Sequence, residues 1–290
     1  MDEQTALTQT DPSGNSSPTD VELDEFVMPP PDKVNLEVTA RCNLQCPMCA
    51  IHATTPHADF AHTDMKLEVV DLLGRSIHAA ETVLLTGGGE PLLLRDFTSF
   101  IHRVREYNPG AKITFISNGT TMTERQAHMV IEERIHSIEF SMDGTIQYGH
   151  VGGGADYARV KDNLRRLALL KQEAGVEEPH MVITFVAMRD NLVELPDLLE
   201  FAGEIGAAGV MVQPISPSFW SHQDQNIFRH VDYARQVLHK CSAMAKEIGV
   251  PLDVRNMDFD MSDTPKVCLV PFTEVWVSHD GRLKPCCGGI

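Results

Sequence analysis

The sequence predicts an α/β protein with a parallel sheet and crossover helices, and three observations predict it. Short β-type runs alternate with amphipathic helical runs through six successive strands. The carboxyl ends of the first four runs all carry polar or ligand-type residues. A composition of 42% hydrophobic against 22% charged residues is enough for a sizeable core over 290 residues. Strict β-α alternation leaves two closures open, an open sheet or a partial barrel.

The β-type runs are 34–39, 82–86, 113–117, 137–141, 181–187 and 209–214. Helical patterns occupy 67–78, 94–107, 124–133, 157–174 and 193–205, the first opening after Thr63-Asp64 and the last closing at Gly206. A further helix is expected over 231–248. Ahead of the first strand, residues 1–33 hold eight acidic residues and one Lys and end near Pro29-Pro30-Pro31, a composition too poor in apolar groups to offset ordering entropy. They are expected to form a disordered acidic tail. That tail carries −7 of the net −17, which leaves −10 on the folded part.

Such acidity excludes an electrostatic footprint for a phosphate backbone, so no nucleic-acid partner is expected. No run reaches the roughly 18 consecutive apolar residues of a membrane span, and no basic patch precedes an apolar stretch at the start. A cytoplasmic protein without membrane partners is expected.

Seven cysteines fall in two groups plus one: Cys42, Cys46 and Cys49; Cys268, Cys286 and Cys287; and Cys241 alone. In a reducing compartment such clustering points to metal or catalysis instead of disulfides. The first group follows strand one directly, in C-x3-C-x2-C spacing within Arg41-Cys42-Asn43-Leu44-Gln45-Cys46-Pro47-Met48-Cys49. Three thiolates can hold three corners of an iron-sulfur cube and leave one iron open to an outside ligand. A zinc site completed by His52 is the alternative.

Strand two ends in Gly87-Gly88-Gly89-Glu90-Pro91, where glycines let a ligand approach the backbone and a carboxylate suits an ammonium group. Strands three and four end in Ser117-Asn118-Gly119 and Ser141-Met142-Asp143-Gly144. Turn chemistry explains each of these alone. In a parallel sheet, however, all four endings share the edge where ligands gather.

Together the C-x3-C-x2-C loop, the Gly-Gly-Glu-Pro turn and the Ser-x-Asp-Gly ending resemble the radical S-adenosylmethionine (SAM) superfamily over roughly residues 34–214. The resemblance implies a partial (β/α)6 barrel in which Cys42, Cys46 and Cys49 hold a 4Fe-4S cluster and SAM chelates the fourth iron. Reduction then cleaves SAM to methionine and a 5′-deoxyadenosyl radical that abstracts a substrate hydrogen. By the same resemblance Gly88, Gly89 and Glu90 hold the methionine amino group, Ser117 and Asn118 lie near the ribose, and Ser141 and Asp143 lie near the ribose or carboxylate. Backbone at Met48 and around Val212 faces the adenine. Met48 replaces an aromatic residue common in the family, and its thioether also packs on a purine.

Near the end, an alternating strand, an Asp280-Gly281 turn and a return strand predict a β-hairpin that brings Cys286 and Cys287 back toward Cys268. The pattern C-x12-G-x4-C resembles the opening of a SPASM or twitch extension, which carries auxiliary iron-sulfur clusters. The chain stops three residues after Cys287, so this extension is expected to be truncated, or degenerate with those three cysteines as its ligands. The domain reading is therefore a tail at 1–33, a barrel at 34–250 and a small cysteine-rich extension at 251–290.

Cys241 falls on the apolar stripe Ala234, Leu238, Cys241, Ala245 of the last helix. It is read either as a small core residue or as a hydrogen-atom donor to a substrate radical. His52, His57 and His62 are either solvated or line a substrate entrance, and Phe219 with Trp220 is either a lid or core. The resemblance implies a radical SAM enzyme of oxidoreductase or epimerase type with a flavodoxin- or ferredoxin-type electron donor. A disordered tail cannot form a leader-binding module, which tilts the substrate toward a small molecule or carbohydrate. The alternatives are a peptide- or protein-modifying enzyme, and, from another class, a cluster-bearing electron-transfer or binding protein that does not cleave SAM.

Overall fold

The computed structural model describes residues 29–49, 63–145, 153–216, 220–257, 259 and 268–286. Six parallel strands form where the hydrophobic alternation placed them: β1 Lys33–Glu37, β2 Thr82–Thr86, β3 Lys112–Ser117, β4 Ser137–Ser141, β5 His180–Ala187 and β6 Gly209–Pro214. The crossovers are α1 Glu68–Leu72 and α2 Gly74–Ala79, then α3 Phe97–Tyr107, α4 Glu124–Glu132, α5 Tyr157–Ala174 and α6 Leu195–Glu204, with α7 Val231–Ile248 following β6. The first helical pattern breaks in two at Leu73, whose φ of −98° and ψ of 4° leave the helix, and the Tyr107 ring packs on Gly74, where a Cβ would lie 2.5 Å from Cε1. The helix expected from 94 begins at Phe97, after a separate 3-10 turn Pro91–Leu93, and the one expected from 193 begins as the 3-10 turn Leu192–Glu194.

The sheet is wider than six strands. Its order is β7-β6-β5-β4-β3-β2-β1-β8-β9, with β7 Leu252–Val254 added beside β6 and β8 Glu274–Val277 added in parallel beside β1. The expected C-terminal hairpin forms as β8 and β9 Leu283–Lys284, with Trp276 opposite Lys284 and Gly281 at φ +84° in the turn. Strand β1 starts at Lys33, one residue inside the stretch read as tail, since Asp32 already bonds to Thr273 and to the start of β2. Residues 1–28 lie outside the described residues.

Strand residues of one parity, among them Leu36, Leu85, Phe115, Phe140 and Phe185, join the helices' inward residues Ile101, Leu164 and Leu198 in one buried core. The other parity is markedly more polar: Asn35, Glu37, Thr86, Thr114, Glu139, Ser141 and Thr184. On that face Glu139 senses the charges of Lys33 on β1 and Arg255 after β7. The sheet is that of a partial barrel, with the apolar parity packed on the helices and the polar parity on the other face.

Candidate active site

Parallel strands deliver their carboxyl ends to one edge, and the cysteine loop, the glycine turn, Ser117-Asn118 and Asp143 all stand there. The first two are stitched together. Backbone Glu90 N–H donates to the Arg41 carbonyl at 2.8 Å, and Val38 N–H to Thr86 at 3.0 Å. A Cβ on Gly89 would lie 2.4 Å from the Arg41 carbonyl oxygen and 2.6 Å from that of Thr39, so only glycine permits this approach.

Glu90 is not an open carboxylate at the strand end. It is 1% exposed; Oε1 accepts from Ser117 Oγ at 2.9 Å and Leu92 N at 3.2 Å, and Oε2 accepts from Asn118 N at 2.7 Å. Burial pushes its pKa up to about 7 against the pull of those donors. Its side chain fastens β2 to β3 and caps the Pro91–Leu93 turn. Asn118 continues the link, with Nδ2 3.1 Å from Asn43 Oδ1 and 3.9 Å from Cys42 Sγ. Ser141 is half-buried near Thr184, whose hydroxyl lies 3.4 Å from its own. Asp143 turns inward: Oδ1 accepts Val186 N–H at 2.7 Å, and burial raises its pKa to about 7.

Cys42, Cys46 and Cys49 are free and half-buried. Cys42 Sγ accepts the Leu44 N–H at 3.4 Å. Burial pushes the Cys46 thiol up to about 12, with Asp143, Cys49 and Cys42 adding to it, and raises Cys42 likewise. Such a site disfavours bare thiolates; a cationic iron centre supplies the charge that would hold them ionised. Among the described residues the three thiols do not converge within 4.8 Å of one another, whereas ligands of one tetrahedral zinc stand ~3.8 Å apart. Three half-buried thiols on one loop are the donor number for three corners of an iron-sulfur cube. The group that does converge, His136, Glu178 and His180, lies at the amino-terminal ends of β4 and β5, on the opposite edge.

Met48 is buried with Met188 and Ile215, against Cys46 and Val186. This is the apolar contact beside the cysteine loop. Val212 is a fully buried core residue inside the ladder, and its carbonyl accepts from Arg255 N at 2.8 Å. Ile215, just past the end of β6, supplies the contact expected near Val212. Cys241 is fully buried on the inward face of α7 with Ala234, Leu238 and Ala245, and burial raises its pKa to about 11. With no exposed surface it is a core residue, and the hydrogen-donor reading is dropped. Cys268 is exposed and Cys286 half-buried, both free. Cys287, Phe219, His52, His57 and His62 lie outside the described residues, and Trp220 opens the 3-10 turn Trp220–Gln225.

Several residues that build the site were not read from the sequence. Arg41 pairs with Asp64 through two bonds of 2.8 and 2.6 Å, and Thr39 Oγ1 donates to the same carboxylate at 2.6 Å, which ties the two ends of the segment 50–62. Gly153 lies flat on the loop, where a Cβ would be 2.3 Å from Cys46 N. Asn191, fully buried, accepts from Met188 N at 2.7 Å and donates to the Asp143 and Val186 carbonyls at 2.8 and 2.9 Å. Glu37, on the polar parity of β1, accepts the Gly88 N–H at 2.7 Å.

A parallel sheet that presents three half-buried thiols, a glycine turn and converging hydrogen-bond groups at one edge is a cofactor-binding α/β fold. The chain belongs to the Radical SAM superfamily, whose family model matches residues 36–202. That family works with a 4Fe-4S cluster and SAM, the pair that the donor set fits. The tungsten-containing aldehyde ferredoxin oxidoreductase cofactor-modifying protein of Pyrococcus furiosus is 25% identical over 63% of this chain and 51% of its own, so the chain spans about half of that relative. PqqA peptide cyclase of Gluconobacter oxydans is 24% identical over 89% of this chain and 70% of its own. The crystal structure of SuiB from Streptococcus suis bound to SAM superposes with TM-score 0.67 at 12% identity, covering 88% of this chain and 60% of that one, a likeness of fold. Among the described residues no helix is long and apolar enough to cross a membrane.

Proposed function

We propose that this radical SAM enzyme reductively cleaves SAM and abstracts hydrogen from a small-molecule or carbohydrate-type substrate, leading to dehydrogenation or epimerisation. The observation that carries the reading is the Glu90 to Arg41 bond, which holds the three-thiol loop and the glycine turn as one surface. When bound, the cluster and SAM supply the 5′-deoxyadenosyl radical that takes the hydrogen. The chain's own residues do the rest. Cys42, Cys46 and Cys49 hold iron, the backbone of Gly88 and Gly89 meets the methionine ammonium, Glu90 sets that backbone from below, and Met48 with Ile215 packs on adenine.

The polar face of the sheet supports a polar substrate. Asn35 is 1% exposed and its Oδ1 accepts no hydrogen bond among the described residues. Glu139 makes no hydrogen bond or ion pair with any described residue, and burial raises its pKa against the pull of Lys33 and Arg255. An amine- or hydroxyl-bearing substrate would satisfy the Glu139 carboxylate. A peptide or protein substrate is the second reading, favoured by the likeness to the peptide cyclase over most of the chain.

The same reading takes 34–250 as the barrel and Cys268, Cys286 and Cys287 as ligands of an auxiliary cluster in a SPASM- or twitch-like extension. It gives the protein a flavodoxin- or ferredoxin-type donor in the cytoplasm.

The test is anaerobic reconstitution, iron analysis and dithionite-driven 5′-deoxyadenosine formation by wild type and a Cys42/Cys46/Cys49→Ala variant. About four irons with cleavage lost in the variant supports the reading, and about eight adds the auxiliary cluster. Iron without cleavage leaves an electron-transfer or binding protein. Deuterated cell extract, split by ultrafiltration, separates the substrate readings by which fraction passes deuterium to 5′-deoxyadenosine.

A further inference from the structure

We propose that Glu37 is a positioning residue through which the C-terminal β8-β9 hairpin sets the affinity of the glycine turn for SAM. The inference rests on reading that turn as the place where the methionine ammonium binds.

The side chain of Glu37 is 12% exposed, at the carboxyl end of β1 and beneath the turn. One oxygen, Oε1, accepts the Gly88 N–H at 2.7 Å. The other, Oε2, faces the hairpin: it accepts from His279 N at 3.2 Å and Lys284 Nζ at 3.3 Å, and lies 3.4 Å from His279 Nδ1. The fit against the turn is close. Gly87 has φ +142°, and a Cβ there would lie 2.0 Å from Glu37 Cγ and 2.8 Å from its Cα. The turn therefore rests on the Glu37 side chain with no room to settle independently of it.

Each arm of this carboxylate constrains a different partner. The bond to Gly88 fixes the peptide plane between Gly87 and Gly88, and so the direction of the Gly87 carbonyl. The hairpin arm fixes the carboxylate plane, because a charge-assisted bond from Lys284 and two contacts from His279 hold Oε2. Lys284 sits in β9, paired with Trp276 of β8, and β8 is laddered to β1 from Lys33 to Leu36. Removing the Lys284 charge therefore reaches the SAM site through one side chain, although Lys284 does not line that site. Nothing in the family model's match, which ends at residue 202, includes the hairpin.

The experiment uses the full chain, anaerobically reconstituted. The SAM dissociation constant is measured by equilibrium dialysis with labelled SAM for wild type, Glu37→Gln, Lys284→Met and the double variant. Iron content and the electron paramagnetic resonance spectrum of the reduced cluster without SAM are recorded alongside. Glu37→Gln is expected to weaken SAM binding about tenfold or more, because the amide keeps one acceptor but loses the charge and sets an NH2 against the donors that hold Oε2. Lys284→Met is expected to weaken it about threefold to tenfold. The double variant should bind no worse than Glu37→Gln alone, because both act through one carboxylate. Iron and the SAM-free spectrum should match wild type in Lys284→Met. SAM affinity within twofold of wild type in Lys284→Met overturns the inference, as do fully additive effects or a fall in iron that accounts for the lost binding. A wild type that holds iron but binds no SAM overturns the reading of the turn itself, and the inference with it. If Glu37→Gln does not fold, Lys284→Met decides alone.

Discussion

Glu90 and Arg41 are joined by a backbone hydrogen bond of 2.8 Å, and this bond makes one surface of two loops that are far apart in sequence. It forms because Gly89 has no side chain to hold the strand ends apart. Gly89→Ala would set a Cβ 2.4 Å from one carbonyl oxygen and 2.6 Å from another, both backbone atoms that cannot swing away. The expected cost is about 1–3 kcal/mol of stability, with a larger relative loss of SAM binding. Thermal melts and equilibrium dialysis of the reconstituted variant measure the two effects.

Glu90 also gives the fold a pH signature. Its pKa rises from 4.5 to about 7 on burial, so between those values the folded state holds a proton that the unfolded chain has released. Stability from this group is complete below 4.5, falls as pH rises through the window, and is gone above 7. Asp143, raised from 3.8 to about 7, acts in the same direction. Glu90→Gln carries no proton to release. Melting temperatures of the reduced, iron-free protein should therefore decline less steeply with pH in this variant than in wild type, and least in Glu90→Gln combined with Asp143→Asn.

Gly153 controls the cysteine loop from a distant part of the chain. It adopts φ +58°, its carbonyl accepts Gln45 N–H at 3.2 Å, and an added Cβ would meet Gln45 C at 2.2 Å and Cys46 N at 2.3 Å. An alanine there costs about 1–2 kcal/mol for the left-handed backbone alone and pushes on the loop as well. Gly153→Ala should keep its far-ultraviolet circular dichroism but retain less iron per chain after reconstitution, measured by colorimetric iron analysis.

The contrast between Gly153 and Gly89 shows what the sequence can convey. Gly89 stands in a run of glycines at a strand end, and strand position follows from period-two alternation, so its edge of the sheet was legible. Cys42, Cys46 and Cys49 were legible for the same reason. Gly153 sits in Gly152-Gly153-Gly154 with no β-type sequence run leading into it, and only the fold reveals that Cys46 lies against it. Glu90 was located correctly, but its direction was not, because burial against Ser117 and Asn118 depends on how β3 packs beside β2. A β-type run does not announce its neighbour: β7 was not foreseen, nor the bond to the Val212 carbonyl from Arg255 N just past it. Glu37 was overlooked although its parity on β1 puts it on the polar face. Its partners His279 and Lys284 arrive only through the parallel pairing of β8 with β1, a long-range contact that no local pattern encodes.

Glu139 is the place where stability and function should separate. It lies mid-strand on the polar face of β4, and burial raises its pKa, while Lys33 and Arg255 offset this only in part. Burial with no hydrogen-bond or ion-pair partner among the described residues therefore makes the charged form of this carboxylate costly in the folded state. Glu139→Gln removes the charge at nearly constant volume. It should stabilise the protein by about 0.5–2 kcal/mol at pH values where the wild-type carboxylate is ionised. The sign follows from linkage: a carboxylate raised from 4.5 in the folded state destabilises above its folded pKa, so the gain should shrink as pH falls toward 4.5. Denaturant titrations at two pH values measure this. Formation of 5′-deoxyadenosine without added substrate should stay at the wild-type rate, because Glu139 is not among the groups that hold the cofactor. A stabilised variant that still cleaves SAM but no longer passes substrate deuterium to 5′-deoxyadenosine would mark Glu139 as a substrate contact; lowered stability would show that the carboxylate is paired in the fold.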